Sequence, residues 1–237
     1  MRLFWSRAGE GFLSCPRRLF APSRFEHVCG GGHVEHYFTR DPGAPHALRR
    51  LEVVLRGERL VFWTDRGVFS PERIDRGTRL LAEVFQAPDG ARILDLGAGY
   101  GVLGIVAARV VPQAEVWMLE VNRRAAELAE RNARENGVKR VHVVVGEDLD
   151  ALPPDLRFHT VLTNPPIRAG QALVFSLYRQ AVARLVPGGE LWTVVRTRQG
   201  AERHLAFLAD LTGEAELVAR GGGYRVFRAA RRRNFGE

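Results

Sequence analysis

Asn164-Pro165-Pro166-Ile167 is a run whose residue types suit one kind of chemistry. It follows a short apolar stretch, Thr160 to Leu162, that reads as a buried strand. Two successive prolines have fixed φ angles and no N–H, so they form a stiff, extended corner. At such a corner the side-chain oxygen of Asn164 and the backbone oxygen of Pro165 can face one point. An exocyclic amine presents two N–H donors and needs two acceptors of this kind. Its lone pair is delocalised into the ring, so a catalyst must orient the nitrogen and stabilise the positive charge it gains on attack. No strong base is required first, because the proton can leave afterwards. Placing the reactants in line supplies roughly 7–11 kcal/mol of a barrier. An oriented polar group at developing charge adds about 3 kcal/mol, by analogy with oxyanion-hole donors.

The second group of residues is the loop from Asp95 to Gly104, with glycines at 97, 99, 101 and 104. It follows a strand and opens a helix. Gly97, Gly99 and Gly101, with Ala98 among them, let backbone turn tightly and approach a ligand closely. Gly99, Gly101 and Gly104 also fit the G-x-G-x-x-G pattern of dinucleotide sites, which is weak alone. Charge separates the readings. A dinucleotide puts its pyrophosphate at the helix N-terminus, and Asp95 beside that loop would repel it. S-adenosyl-L-methionine carries a sulfonium and an ammonium instead, and a neighbouring carboxylate suits both. Glu120, with Val121 after it, ends the next strand 25 residues on and can accept two ribose hydroxyls. Asn122 either caps the following helix or borders the same pocket. Asp148 either accepts an adenine amino group or caps a short turn.

These residues need a frame. From residue 91 onward strands and helices alternate. Strands are expected at Ile93-Leu94, Ala114–Leu119, Val141–Val145, Thr160–Leu162 and Leu191–Val195. Helices fit at Val102–Val111, Arg123–Asn136, Gln171–Leu185 and Ala201–Leu211. Such alternation builds an α/β fold with a parallel sheet covered on both faces. The last pair, Ala215–Ala219 and Tyr224–Arg228, is joined too briefly for a crossover and reads as an antiparallel hairpin. Upstream, Leu51–Leu55 and Leu60–Thr64 alternate about a turn at Arg56-Gly57-Glu58. A helix follows from Asp75 to Phe85. We therefore divide the chain into an N-terminal extension (1–33), a hairpin and helix packing on the core (34–90), and a donor-binding domain (91–237).

Residues 1–33 hold five arginines, Pro16, Pro22 and three consecutive glycines, without sustained periodicity. We expect a poorly ordered extension there, or a start codon assigned too early. Cys15 and Cys29 have no metal-ligand spacing, so no metal site and no disulfide framework is expected, and the cytoplasm is the default compartment. No apolar run reaches the roughly 18 residues of a membrane span. The formal charge is +8, with Lys139 the sole lysine among 35 basic residues. Arginine's planar fork pairs well with phosphate, so the balance suggests nucleic acid. Arginine enrichment from genomic base composition explains it equally.

Taken together, several stretches resemble a known family, the small-subunit ribosomal RNA guanine-N2 methyltransferases of the RsmC-like small methyltransferase domain group. They are His36-Tyr37-Phe38, Asp65-Arg66-Gly67-Val68-Phe69-Ser70, Asp75-Arg76-Gly77-Thr78-Arg79-Leu80-Leu81, the Asp95–Gly101 loop and Asn164–Gly170. The resemblance implies a class I methyltransferase, Rossmann-like three-layer fold with a seven-stranded sheet. It implies donor contacts from Asp95, Gly97, Gly99, Glu120 and Asp148, catalysis at Asn164–Ile167, and Phe69 and Thr78 along the approach to the donor. It also implies ribosomal RNA or the small ribosomal subunit as partner. Two departures stand out. The position of Ile167 is commonly aromatic in the wider Asn-Pro-Pro group, so base stacking must come from elsewhere. Long members carry a second, degenerate half that helps hold RNA. Here a homodimer, or Arg168, Arg196, Arg198 and Arg225–Arg233, would supply that surface. Competing readings are DNA adenine-N6 or protein glutamine-N5 methylation, a non-catalytic donor-binding RNA assembly factor, and a nicotinamide oxidoreductase.

Overall fold

Runs such as Ile93-Leu94 and Val116–Leu119 are apolar at consecutive positions, and strands of that kind must be covered on both sides. The computed structural model, which describes residues 43–232, has that architecture. A seven-stranded sheet contains β3 (Arg92–Leu96), β4 (Glu115–Glu120), β5 (Val141–Val145), β6 (Phe158–Thr163), β7 (Leu185–Arg196), β8 (Ala215–Gly221) and β9 (Tyr224–Ala230). The spatial order is β5-β4-β3-β6-β7-β9-β8. The first five are parallel, and β9 and β8 close the edge as an antiparallel hairpin.

Alternate side chains serve opposite layers. Ile93, Val116, Met118, Leu162 and Val194 join a core with α1 (Arg76–Val84), α2 (Val102–Val110) and α3 (Arg123–Glu135). Leu94, Leu119, Val161, Leu191 and Val195 join the other, with α4 (Gln171–Ala183) and α5 (Ala201–Thr212). The chain runs outward from β3 through β4 to β5, then returns to place β6 on the other side of β3. Such a reversal leaves a crevice beyond the carboxyl ends of the two central strands. Asp95 lies on β3, and Asn164 follows the last residue of β6.

Most elements end a residue or more away from the sequence reading; the helix expected to reach Leu185 stops at Ala183, and Leu185 opens β7. The hairpin of β1 (Arg49–Leu55) and β2 (Glu58–Thr64) turns on two residues, Arg56 and Gly57, both at positive φ. Two left-handed central residues match the twist of a tight hairpin, so Glu58 already belongs to the strand. Strand β7 begins at Leu185 rather than near Leu191. A Cβ on Gly189 would stand 3.0–3.1 Å from three backbone oxygens, so glycine lets the chain stay within the sheet there. Residues 1–42, which include the proposed extension and His36-Tyr37-Phe38, lie outside the described residues, as do 233–237. Among the described residues no helix is long and apolar enough to cross a membrane.

The hairpin docks on α3 through two asparagines. Asn132 Oδ1 accepts from the Trp63 N–H at 2.6 Å, and its Nδ2 donates to the Trp63 and Tyr100 carbonyls at 2.9 and 2.8 Å. Asn136 repeats the pattern on Val61, accepting from N–H at 2.9 Å and donating to the carbonyl at 2.7 Å. An amide side chain offers the donor and acceptor of a neighbouring peptide. Four residues of helix advance about 6 Å, close to the roughly 6.8 Å between alternate residues of a strand. Asn132 and Asn136 thus pair with the edge of β2 as a strand would. The Arg131 guanidinium covers the Trp63 ring at 3.7 Å. Because Asn132 is fully buried, Asn132→Ala strands three backbone groups. It is expected to destabilise the fold by about 3 kcal/mol, read as a lower urea midpoint with little change in slope.

Candidate active site

A cleft of about 660 Å³ opens at the reversal between β3 and β6. Asp95, Gly97, Ala98 and Gly99 line one wall, with Glu120 and Val121 beside them. Asn164, Pro165, Pro166 and Ile167 line another, and Phe69 and Thr78 border the same space. The structure thus brings together residues from five separate stretches of chain.

The glycine loop folds onto the end of β4. Gly97 and Ala98 donate their N–H groups to the Leu119 carbonyl at 2.9 and 3.1 Å, and Gly99 donates to Glu120 Oε2 at 2.7 Å. Gly97 and Gly99 sit at φ +75° and +57°, where a Cβ is strained although nothing lies in its way. Gly101 stands outside the lining. It opens α2 at φ +92°, and a Cβ there would meet Ala129 Cβ at 3.1 Å, so its task is packing α2 against α3.

Asp95 is fully buried. Its Oδ2 accepts from the Gly104 N–H in the first turn of α2 at 2.8 Å, and its Oδ1 has no hydrogen-bond partner among the described residues. Gly101 has no side chain with which to cap that helix, so Asp95 neutralises the positive helix end. A phosphate has no comparable place left, whereas a cation does. Burial, helped by the charge of Glu120, pushes the Asp95 carboxyl from 3.8 up to about 7. Burial also raises Glu120, against the pull of its backbone donors. Its oxygens accept from Gly99 and, at 2.9 Å, from the Asn122 N–H. The Val121 N–H adds a third backbone donor, and the carboxylate keeps acceptor capacity for a hydroxyl.

Asp148 does not reach the cleft lining. Its carboxylate accepts from the Asp150 N–H at 3.1 Å and caps the short turn Leu149–Ala151. From the same loop Gly146 and Glu147 contribute instead. Asn122 caps α3, accepting from Ala125 N–H at 3.1 Å, and its Nδ2 ties down the Gly67 carbonyl at 2.8 Å. That bond, with Arg124 on the Arg66 carbonyl and Tyr100 Oη on the Ser70 carbonyl, holds the Gly67–Ser70 segment at the rim.

At the proline corner, Pro166 makes an inverse γ-turn, so Pro165 O accepts from the Ile167 N–H at 2.8 Å and keeps one lone pair. Asn164 Nδ2 donates to Thr78 Oγ1 at 2.9 Å and Asp75 Oδ2 at 3.2 Å. Asn164 Oδ1 has no described partner. Asp75, Tyr100 and Tyr224 also line the cleft and were not singled out as site residues from sequence, and Arg196, expected on an RNA-holding surface, lines it too. The helix-start position of Asp75 was visible, but its link to Asn164 had no local signal.

Comparison with known proteins bears on this arrangement. Residues 59–228 match the model of the methyltransferase small domain. The chain belongs to the methyltransferase small domain family. It is 34% identical to the uncharacterized protein YbxB of Bacillus subtilis, over 82% of this chain and 98% of that one. It is 35% identical to ribosomal RNA small subunit methyltransferase C of Pseudomonas fluorescens, over 70% of this chain and 49% of the relative. Among solved structures it is similar to the T. thermophilus 16S rRNA N2 G1207 methyltransferase RsmC, in complex with AdoMet and guanosine. That match has TM-score 0.72 and 28% identity and covers 79% of this chain and 52% of the other. The chain thus spans about half the length of these two ribosomal RNA methyltransferases.

The residues present suit a cationic nucleoside donor. Asp95 supplies an unpartnered buried carboxylate oxygen, Glu120 spare lone pairs, and Leu96, Leu119 and Val121 an apolar wall. The Asp95 shift also sets a sign. Its folded value lies above its ordinary one, so the native state holds the proton from pH 3.8 to about 7. Its contribution to stability is full at low pH and is lost as pH rises through about 7. For ligand-free protein we expect the melting temperature of wild type, relative to Asp95→Asn, to fall by several degrees between pH 5 and pH 8. Calorimetry at both pH values checks it; a constant difference would mean that Asp95 ionises normally.

Proposed function

We propose that the chain methylates the N2 amine of a guanine in ribosomal RNA, using S-adenosyl-L-methionine. The observation that carries this reading is the pair of unpartnered oxygens in one cleft, Asn164 Oδ1 and Asp95 Oδ1. When bound, S-adenosyl-L-methionine supplies a methyl group on a positively charged sulfur. Asp95 favours that charge, and Glu120 takes the ribose hydroxyls. Asn164 Oδ1 and the remaining lone pair of Pro165 O accept the two N–H groups of the amine. They orient its nitrogen and stabilise the positive charge it gains, and no side chain has to remove a proton first. Ile167 and Leu173 give the base an apolar contact.

Guanine N2 in RNA is preferred over other amines because of the similarity to ribosomal methyltransferases and because of the rim. Arg168 and Arg196 are exposed there, with Arg198 two residues on. Guanidinium groups at the mouth suit the phosphates flanking a base that has left its stack. The substrate is then ribosomal RNA, presented by the small ribosomal subunit in the cytoplasm.

Incubation with tritiated donor and unmodified small ribosomal subunits is expected to yield labelled N2-methylguanosine. Asn164→Ala should lower turnover about a hundredfold or more while affinity for S-adenosylhomocysteine survives. Label appearing only in protein or DNA, or near-normal turnover in the variant, would overturn the proposal.

A further inference from the structure

The motif Asp75-Arg76-Gly77-Thr78 has no part in the chemistry described so far, yet it meets Asn164 directly. Asp75 caps α1, and its Oδ2 accepts from the N–H groups of Gly77 and Thr78 at 2.8 and 3.1 Å. The same oxygen accepts from Asn164 Nδ2. Its Oδ1 accepts from Tyr224 Oη at 2.9 Å, and that hydroxyl accepts in turn from Arg196 Nε at 2.7 Å. Arg196 and Tyr224 are cross-strand partners at the meeting of β7 and β9. A Cβ on residue 77 would stand 2.6 Å from the Tyr224 ring, so glycine is what admits that ring beside Asp75.

We propose that Asp75, held in place by Tyr224 and Arg196, is the positioning residue that keeps the Asn164 amide oxygen turned toward the cleft. This rests on the methyltransferase reading given above and adds to it. An ionised carboxylate has no hydrogen to give, so it accepts only the NH2 end of a neighbouring amide. Turning the amide over would set Asn164 Oδ1 against Asp75 Oδ2, two acceptors facing one another. Asp75 itself does not serve as a base in this role, because four donors already occupy its carboxylate. Its charge acts through the amide: drawing on the NH2 makes the far oxygen a stronger acceptor, as in any chain of hydrogen bonds. Arg196 balances that charge by way of the Tyr224 hydroxyl. Burial pushes the Tyr224 phenol up, which favours the protonated, donating form.

The test compares Asp75→Asn, Tyr224→Phe, Asn164→Ala and the double variant Asp75→Asn/Asn164→Ala. Each is assayed for single-turnover methylation of unmodified small ribosomal subunits, for S-adenosylhomocysteine affinity and for melting temperature. Asparagine is as good a helix cap as aspartate, so with its oxygen kept on Gly77 and Thr78, Asp75→Asn removes the charge and turns the acceptor facing Tyr224 into a donor. We expect its rate to fall about 10- to 100-fold, the worth of a hydrogen bond to a charged group, with donor affinity near wild type. Tyr224→Phe keeps the ring on Gly77 and should fall in the same direction by less; it decides the matter if Asp75→Asn fails to fold. The double variant should be no slower than Asn164→Ala alone, because Asp75 acts only through that amide. Losses that multiply in the double variant would make Asp75 merely structural and overturn the positioning role. So would a wild-type rate in Asp75→Asn beside a crippled Asn164→Ala. If Asn164→Ala also turned over normally, the methylation reading itself would fall, and this one with it.

Discussion

An asparagine amide has two ends of nearly equal size and opposite hydrogen-bonding character, and it holds an amine only when its oxygen is the end presented. In this fold the constraint is met by acceptors placed behind it. Thr78 Oγ1 and Asp75 Oδ2 take both hydrogens of Asn164 Nδ2, which leaves Oδ1 as the group facing the space in front of the proline corner. The two prolines fix the backbone on one side, and the end of β6, stapled to β3 by Thr163 Oγ1 on the Leu96 carbonyl at 2.8 Å, fixes it on the other. The corner is rigid because the sheet is rigid.

The same logic governs the opposite wall. Parallel strands bring their carboxyl ends to one crevice, with helix N-termini rising from it, a setting that favours anions by default. Asp95 reverses the preference. By bonding the Gly104 N–H it occupies the helix end, and by leaving Oδ1 unpartnered it makes the loop a place for positive charge. Glu120 is held by the N–H of Gly99, a glycine in the left-handed conformation, and by that of Asn122. One carboxylate tunes charge and the other shape, and the return of the chain to β6 beside β3 sets the proline corner opposite both.

How much of this could be read from residues alone depended on whether a role is tied to local backbone. Gly97, Gly99, Pro165 and Pro166 are required by their own φ angles or by their missing N–H groups, and those requirements are visible in one dimension. The alternation of strands and helices was visible for the same reason. Asp148 shows the limit: a turn cap and a ligand acceptor call for one residue type, and the structure places the side chain in the cap. Gly101 shows another, since its neighbour Ala129 lies on the next helix. Asp75 could be seen as a helix start, but its partner Tyr224 is 149 residues away. Asn132 and Asn136 did leave a signal, two amides at helical spacing that match the period of a strand edge, though only a docked hairpin gives it meaning.

The deciding quantity is where the amide oxygen of Asn164 points when a base is present. A crystal structure of the protein with S-adenosylhomocysteine and guanosine measures it. The expected result is the exocyclic nitrogen of guanosine within hydrogen-bond distance of Asn164 Oδ1, with Nδ2 still on Asp75 and Thr78. A base bound outside this cleft, or one held by Nδ2 through its carbonyl oxygen, would contradict it.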